Sequence, residues 1–433
     1  MKRRSVLLGA LGLAGAGWLL RPGDNGGNHD SYFRAVSGAL DQAARSRPTL
    51  VIDRAAMHQN IQTLQRHIGD RFAYRIVAKS LPSLPLLEEV MTATGSRRLM
   101  LFNQPFINQV AAAYPDVDVL LGKPLPVSAA RNFYRQHEDN TFVPQRQLHW
   151  LLDSPQRVKQ YEALAAELGQ TLSVCIEIDV GLHRGGVSND ADMLEMLKWI
   201  QGSSQLSFRG LMGYEPHVAK VPGYGGLQGF GPMEAVVRKV RDSAMDSYRH
   251  YLAMARETIG DDWPEQPVLN AGGSPTYQLY DRGEFPFNEL SAGSCLVKPT
   301  DFDLPTLADH ISASFIAAPV LKSMDHTRVP LIDLGHLQAL WDPNRERAFF
   351  TDGGYWKASP VSPPGLSNNS LYGRSTNQEM LNGSASVDLQ PDDWIFLRPT
   401  QSEFVFLQFG DIAVYDNGRI IEHWPVFNMQ AWA

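Results

Sequence analysis

Cysteine is almost absent: Cys175 and Cys295 are the only two in 433 residues. A disulfide-built scaffold is therefore excluded, and Cys175, inside the apolar run 172–178, reads as a buried free thiol. Positive charge is also short. Lys plus Arg number 39 against 46 Asp plus Glu, a net charge of -7, and no basic stretch offsets it, so nucleic acid is not an expected partner. No long apolar run reaches a comfortable membrane span, and the one at the N-terminus stops near Leu20. No G-x-G-x-x-G follows the first strand-like segment, which sets aside an open dinucleotide-binding sheet. What remains is ordinary for an enzyme: 43% hydrophobic and 20% charged residues, in a chain long enough for about two domains.

The first residues differ in texture. Lys2-Arg3-Arg4-Ser5-Val6-Leu7-Leu8 opens a Gly/Ala-rich apolar stretch of signal-peptide length. The paired arginines resemble a twin-arginine export signal. The resemblance implies the twin-arginine export machinery as a partner, a periplasmic location, and loading of any cofactor before export. There is no clear A-x-A cleavage site and no lipid-bearing cysteine, so retention of the segment as an anchor stays open. Residues 21–31, rich in Gly and Asn, read as a linker, and 1–31 as signal plus linker.

Beyond it, strand-like runs near 73–79, 97–101, 117–121, 147–152, 172–179, 206–213, 267–270 and 288–297 alternate with amphipathic stretches such as 127–136, 155–168, 191–200 and 233–258. The fold class expected is α/β: a (β/α)8 TIM-type barrel over 45–304, followed by a smaller β-rich C-terminal domain over 305–433. Strands in the latter are expected at 311–323, 328–333, 394–398, 411–415 and 419–423, with 343–378 as a long irregular segment. Thr49 to Asp53 can join either domain. The glycine-rich stretch 222–231 reads as a loop, and a lid is one use for it.

Four segments carry chemistry. Lys79 closes the run Phe72-Ala73-Tyr74-Arg75-Ile76-Val77-Ala78-Lys79. An amine at the end of a barrel strand faces the catalytic end of such barrels, where desolvation favours imine formation with an aldehyde. The others are Glu177 to Val187 (with Gly181-Leu182-His183-Arg184-Gly185-Gly186), Asn270-Ala271-Gly272-Gly273-Ser274-Pro275-Thr276-Tyr277, and Asn288 to Ser294. Together, in this order and spacing, they resemble the fold-type III pyridoxal-phosphate enzymes, most nearly the D-threonine aldolase and D-serine dehydratase-like branch related to alanine racemase. The resemblance covers about Thr49 to the C-terminus.

The resemblance implies roles. Lys79 forms the Schiff base with pyridoxal 5'-phosphate. Arg75 fits an Arg-x-x-x-Lys pattern, and period two puts residues 75, 77 and 79 on one face. Arg184 lies beside the cofactor ring, and Tyr214 approaches the ring nitrogen. Gly272, Gly273, Ser274 and Thr276 cradle the phosphate, with Gly293 and Ser294 adding contacts. Ala271, Ser274, Pro275 and Cys295 depart from the usual pattern there. His217 and Glu403 are the candidate bases.

The metal-binding His and Cys or Asp of the resembled branch stand here as Gln401 and Glu403, and an upstream His stands as Met380. An amide and one carboxylate make a poor transition-metal site. No metal is expected, a hard ion through Glu403 and Glu379 being the alternative. The implied function is a lyase acting on an amino-acid substrate, by aldol cleavage or dehydration of a β-hydroxy-D-amino acid. The alternatives are an amino-acid racemase and a non-catalytic pyridoxal-phosphate-binding protein. A homodimer is implied by analogy.

Overall fold

The computed structural model describes residues 21–137, 141–221, 231–328 and 339–428. The paired arginines and apolar stretch, the loop residues 222–230, and all but the first residue of the strand expected at 328–333 lie outside them. Among the described residues no helix is long and apolar enough to cross a membrane. The chain forms two units. One joins the N-terminal segment through Asp53 to Ser314–Thr400 and Ile412–His423; the other comprises Arg54–Ala313, Gln401–Asp411 and the segment from Trp424 on.

The first strand, β1 (Thr49–Asp53), belongs to the sheet unit, so that unit begins before the barrel does. The barrel is then laid down in sequence: β2 (Ala73–Val77), β3 (Arg98–Leu101), β4 (Asp118–Leu121), β5 (Leu148–Leu152), β6 (Leu172–Ile178), β7 (Leu206–Gly213), β8 (Val268–Ala271) and β9 (Glu289–Ala292). All eight neighbours pair in parallel, and β9 returns to β2 with Arg75 opposite Ser291, which closes the barrel. Strands covered on both faces need near-continuous apolar runs, and Val, Ile and Leu supply them. Side-chain oxygens of Ser83, Asn103, Ser154 and Asn189 cap the helices that follow four of the strands. The strand expected at 288–297 is shorter. It stops at Ala292, and Ser294–Val297 is one helical turn.

Arg75 corrects an expectation. It lies two residues below Val77, the last strand residue to line the cleft, and Lys79 is carried beyond the strand by a 3-10 turn. Its guanidinium is fully buried in the barrel layer below. It bonds Glu289 at 2.6 and 2.9 Å and Asp118 at 2.7 Å. Arg98 reaches Glu289 at 3.0 Å, and His149 reaches Asp118 at 2.8 Å. Burial opposes ionisation of Asp118, yet Arg75 and His149 beside it hold its carboxyl well below the usual range. Arg75 is a structural cation, not a wall of the cleft.

The second unit is a nine-stranded sheet among the described residues. It adds β10 (Ser314–Met324), β11 (Arg347–Asp352), β12 (Ala358–Ser362), β13 (Ser367–Asn368), β14 (Gln378–Gly383), β15 (Trp394–Pro399), β16 (Asp411–Asp416) and β17 (Arg419–Pro425). β1 lies between antiparallel β10 and parallel β16. The helix Ser31–Gln42 buries Phe33, Val36 and Leu40 against Val51, Phe315 and Phe396, each buried apolar side chain contributing about 1.5–3 kcal/mol. Two expectations fail here. The region 343–378 contains β11, β12 and β13, short strands of six, five and two residues set between Pro- and Gly-containing turns. Residues 21–30 are not a free linker. Asn25 N–H donates to Asn344 at 2.8 Å, and the His29 ring bonds Ser362 Oγ at 2.7 Å and the Trp394 carbonyl at 3.0 Å.

Candidate active site

The largest concentration of chemistry lies in the barrel unit, at the C-terminal ends of its strands. There a cleft of about 550 Å³, open to solvent, is lined by residues that follow seven of the eight strands, all but β5, joined by Phe302 and Glu403. β2 runs out at Val77, and a 3-10 turn over Ala78–Ser80 carries Lys79 into the cleft. Leu81 N–H closes that turn on the Ala78 carbonyl at 3.0 Å, and Ser83 caps the next helix. The lysine is therefore presented from backbone held on both sides. Its Nζ stands 2.7 Å from Glu403 Oε1 and 4.6 Å from the Phe102 ring centroid. Gly122 makes room for that ring, since a Cβ there would fall 2.2 Å from Phe102 Cζ.

Arg184 comes from the loop after β6. Asp179 Oδ1 accepts the N–H of Gly181 at 2.9 Å and of His183 at 3.0 Å. Gly186, at φ +87°, lets the chain turn back beneath Ile178, whose carbonyl carbon would be 2.6 Å from any Cβ. The guanidinium then lies 4.9 Å from the Tyr214 ring centroid, a favourable cation–π geometry. Burial pushes the Tyr214 hydroxyl up to about 12, with Arg184 pulling the other way. Glu177, on the same strand as the loop, is pushed up to about 7 by burial and by Asp153 nearby.

The expected phosphate segments are the turns that follow β8 and β9. A Cβ on Gly273 would meet Tyr214 at 2.8 Å, and one on Gly293 would meet the Val77 carbonyl at 2.6 Å. Both positions need glycine for close approach. The Ser274 hydroxyl accepts the N–H groups of Gly293 and Cys295, each at 3.1 Å. Ser80 and Ser294 hydroxyls pair at 2.8 Å. The Ser80, Ser274 and Ser294 hydroxyls beside glycine backbone suit a phosphate ester, and an amine stands in the same cleft. The residues present fit pyridoxal phosphate.

Of the residues singled out in the sequence, Lys79, Arg184, Tyr214, Gly272, Gly273, Ser274, Gly293, Ser294 and Glu403 line this cleft together. Three of the expected residues do not line it. Arg75 lies in the layer below. The Thr276 hydroxyl turns away from the cleft onto Glu215 at 2.9 Å. His217 sits in the 3-10 turn Pro216–Lys220 with its ring towards Gly181; burial lowers its pKa, and its buried Nδ1 has no hydrogen-bond partner among the described residues. Sequence reasoning passed over Ser80, Asn270, Ser291, Phe102 and Phe302, which also line the cleft. Asn270 and Ser291 fall inside the recognised segments. The two phenylalanines carry no sequence signal.

At the expected metal positions, Gln401 donates to Asp301 at 2.8 Å and Glu403 pairs with Lys79. Glu379, in the sheet unit, pairs with Arg374 and accepts the Tyr355 N–H at 2.8 Å. Among the described residues no group of three or more His, Cys, Asp or Glu is arranged to hold a metal ion.

Comparison with known proteins agrees with this picture. An alanine racemase from Mycolicibacterium smegmatis is 33% identical over 155 residues, a match spanning 34% of this chain and 40% of that protein. Among solved structures, D-threonine aldolase from Filomicrobium marinum superposes with a TM-score of 0.69 at 17% identity, over 89% of this chain and 96% of that one. D-threo-3-hydroxyaspartate dehydratase from Delftia sp. HT23 gives 0.64 at 17% identity, over 88% and 97%. Alanine racemase from Bacillus anthracis gives 0.63 at 12% identity, over 88% and 98%. At these identities the structural likeness shows the fold. The family model described as alanine racemase, N-terminal domain, matches residues 52–301, more than half of the chain. The chain belongs to that family, a family of fold-type III pyridoxal-phosphate enzymes.

Proposed function

We propose that this protein is a pyridoxal-phosphate-dependent lyase that cleaves or dehydrates a β-hydroxy-D-amino acid without help from a transition metal. The observation that carries the reading is the pairing of Lys79 with Glu403 inside the cleft, 2.7 Å apart. Lys79 would hold the cofactor's aldehyde, and the donors around Ser274, Gly293 and Ser294 would hold its phosphate. When bound, the cofactor withdraws electrons from the substrate's α-carbon.

The chain's own residues supply the rest. With Lys79 engaged, Glu403 is the carboxylate left facing the substrate. In aldol cleavage it takes the β-hydroxyl proton at Oε1 while the Cα–Cβ bond breaks and the β-carbon leaves as an aldehyde. Arg184, held over Tyr214, supplies positive charge along the cleft wall. Phe102 and Phe302 add apolar surface to it. Glu403 offers one hard carboxylate and Gln401 one neutral amide, a donor set ill suited to Zn2+ or Mn2+.

A racemase is the second reading, favoured by the 33% identity to an alanine racemase. It needs proton-transfer groups on both faces of the α-carbon, and Tyr214 joins Lys79 and Glu403 among the titratable groups of the wall. Product analysis with D-threonine, D-serine and D-alanine, with and without added metal, separates the two. Glycine and acetaldehyde from D-threonine support the lyase. L-alanine from D-alanine with no lyase product would replace it with the racemase.

A further inference from the structure

The loop bearing Gly272, Gly273 and Ser274 is organised by a carboxylate that takes no part in the cleft wall. Glu215 follows Tyr214 directly, beyond the end of β7, and does not line the cleft; its side chain is fully buried and bonded to the loop. Its Oε2 accepts the Gly272 N–H at 3.3 Å. Its Oε1 accepts the hydroxyls of Thr276 and Tyr280, each at 2.9 Å. Those three donors mark the start of the loop, its far side and the end of the turn Tyr277–Tyr280 that follows. The Gly273 carbonyl adds the N–H groups of Thr276 and Tyr277, at 2.9 and 3.0 Å. Among the described residues no cation pairs with Glu215, and burial pushes its carboxyl above the usual range. A buried carboxylate without a cation is costly and persists only where several donors converge on it.

We infer that Glu215 is a positioning residue that presets the Gly272–Ser274 loop to receive the phosphate ester of the cofactor. The inference rests on the pyridoxal-phosphate reading above. Two effects of Glu215 oppose each other. Its negative charge beneath the loop disfavours a second anion. Its three hydrogen bonds aim the loop's N–H groups, and an anion held by backbone N–H depends on that aim. Glu215→Gln separates the effects. An amide in one orientation sets its NH2 against the Gly272 N–H. In the other it leaves the hydroxyl protons of Thr276 and Tyr280 without an acceptor. If charge dominates, the variant binds phosphate esters more tightly; if position dominates, more weakly. We assign the larger effect to position, since a buried donor left unpaired costs the full loss of its bond.

The test titrates pyridoxal phosphate and phosphate-free pyridoxal onto the full-length protein freed of cofactor, following absorbance and protection by inorganic phosphate. Glu215→Gln should weaken pyridoxal phosphate about tenfold or more, roughly one lost hydrogen bond. Pyridoxal binding, which depends on Lys79 and the ring wall, should change less than about twofold. Thr276→Val, which removes one of the three bonds, should move the same ratio in the same direction by less. It decides the matter should Glu215→Gln fail to fold. Equal losses for both ligands, or pyridoxal phosphate bound as tightly as before or more tightly, would overturn the inference. Failure of the wild-type protein to bind either ligand would instead overturn the cofactor reading itself.

Discussion

Glu403 Oε1 lies 2.7 Å from the amine of Lys79, and the side chains are 41% and 36% exposed. An ion pair that open contributes roughly 0–1 kcal/mol to stability. Its consequence is positional: it places a carboxylate beside the reactive amine.

Glu403→Gln should therefore leave the fold and cofactor binding intact and reduce turnover. Loss of a general base typically costs about 10²–10⁴-fold in kcat. Matched absorbance titrations and steady-state kinetics check this. Unchanged turnover would remove Glu403 from the chemistry.

Activity should survive EDTA, and added Mn2+ or Zn2+ should change it little, because Gln401 and Glu403 are weak ligands for such ions. Elemental analysis of the active protein, paired with chelation, is the check. Stoichiometric metal with loss of activity on its removal would show a site rebuilt with hard ligands.

Gly293→Ala should both destabilise the protein and weaken the cofactor. The added methyl would fall 2.6 Å from the Val77 carbonyl, a backbone atom of a barrel strand. Overpacking of this kind costs about 1–3 kcal/mol. Thermal melts with and without pyridoxal phosphate read both effects. Arg75→Met provides the contrast. Breaking a buried ion pair costs about 3–5 kcal/mol, so it should lower stability without a separate effect on cofactor affinity.

Glu177 gives the protein a pH signature. Its carboxyl titrates near 4.5 when unfolded and is pushed up to about 7 when folded. The folded state therefore holds the proton more tightly. The favourable contribution is complete below about 4.5 and is lost as pH rises towards 7. Discounted for partial exposure, the effect is on the order of 1–2 kcal/mol. Glu177→Gln should flatten stability across that window and melt higher than wild type at alkaline pH. Parallel pH dependence in both proteins would refute the assignment.

The barrel and most of the cleft were legible because local pattern carried them. Apolar runs at βα spacing gave the strands, and the glycine segments after β6, β8 and β9 gave the loops. Arg75 was misplaced because alternation reports the face of a strand and not the height along the barrel. Thr276 was misassigned because a hydroxyl two residues from a phosphate loop can turn to either side, and Glu215, from another strand, decides which. Phe102 depends on the absent side chain of Gly122, a relationship between strands that no sequence spacing encodes.

The central claim is that Lys79 is the residue that holds the cofactor. Borohydride reduction of the pyridoxal phosphate-loaded protein, followed by peptide mapping, tests it most directly. The account predicts one reduced pyridoxyl label, on Lys79, and no yellow covalent species in Lys79→Ala. A label on any other lysine, or none on the wild-type protein, would contradict it.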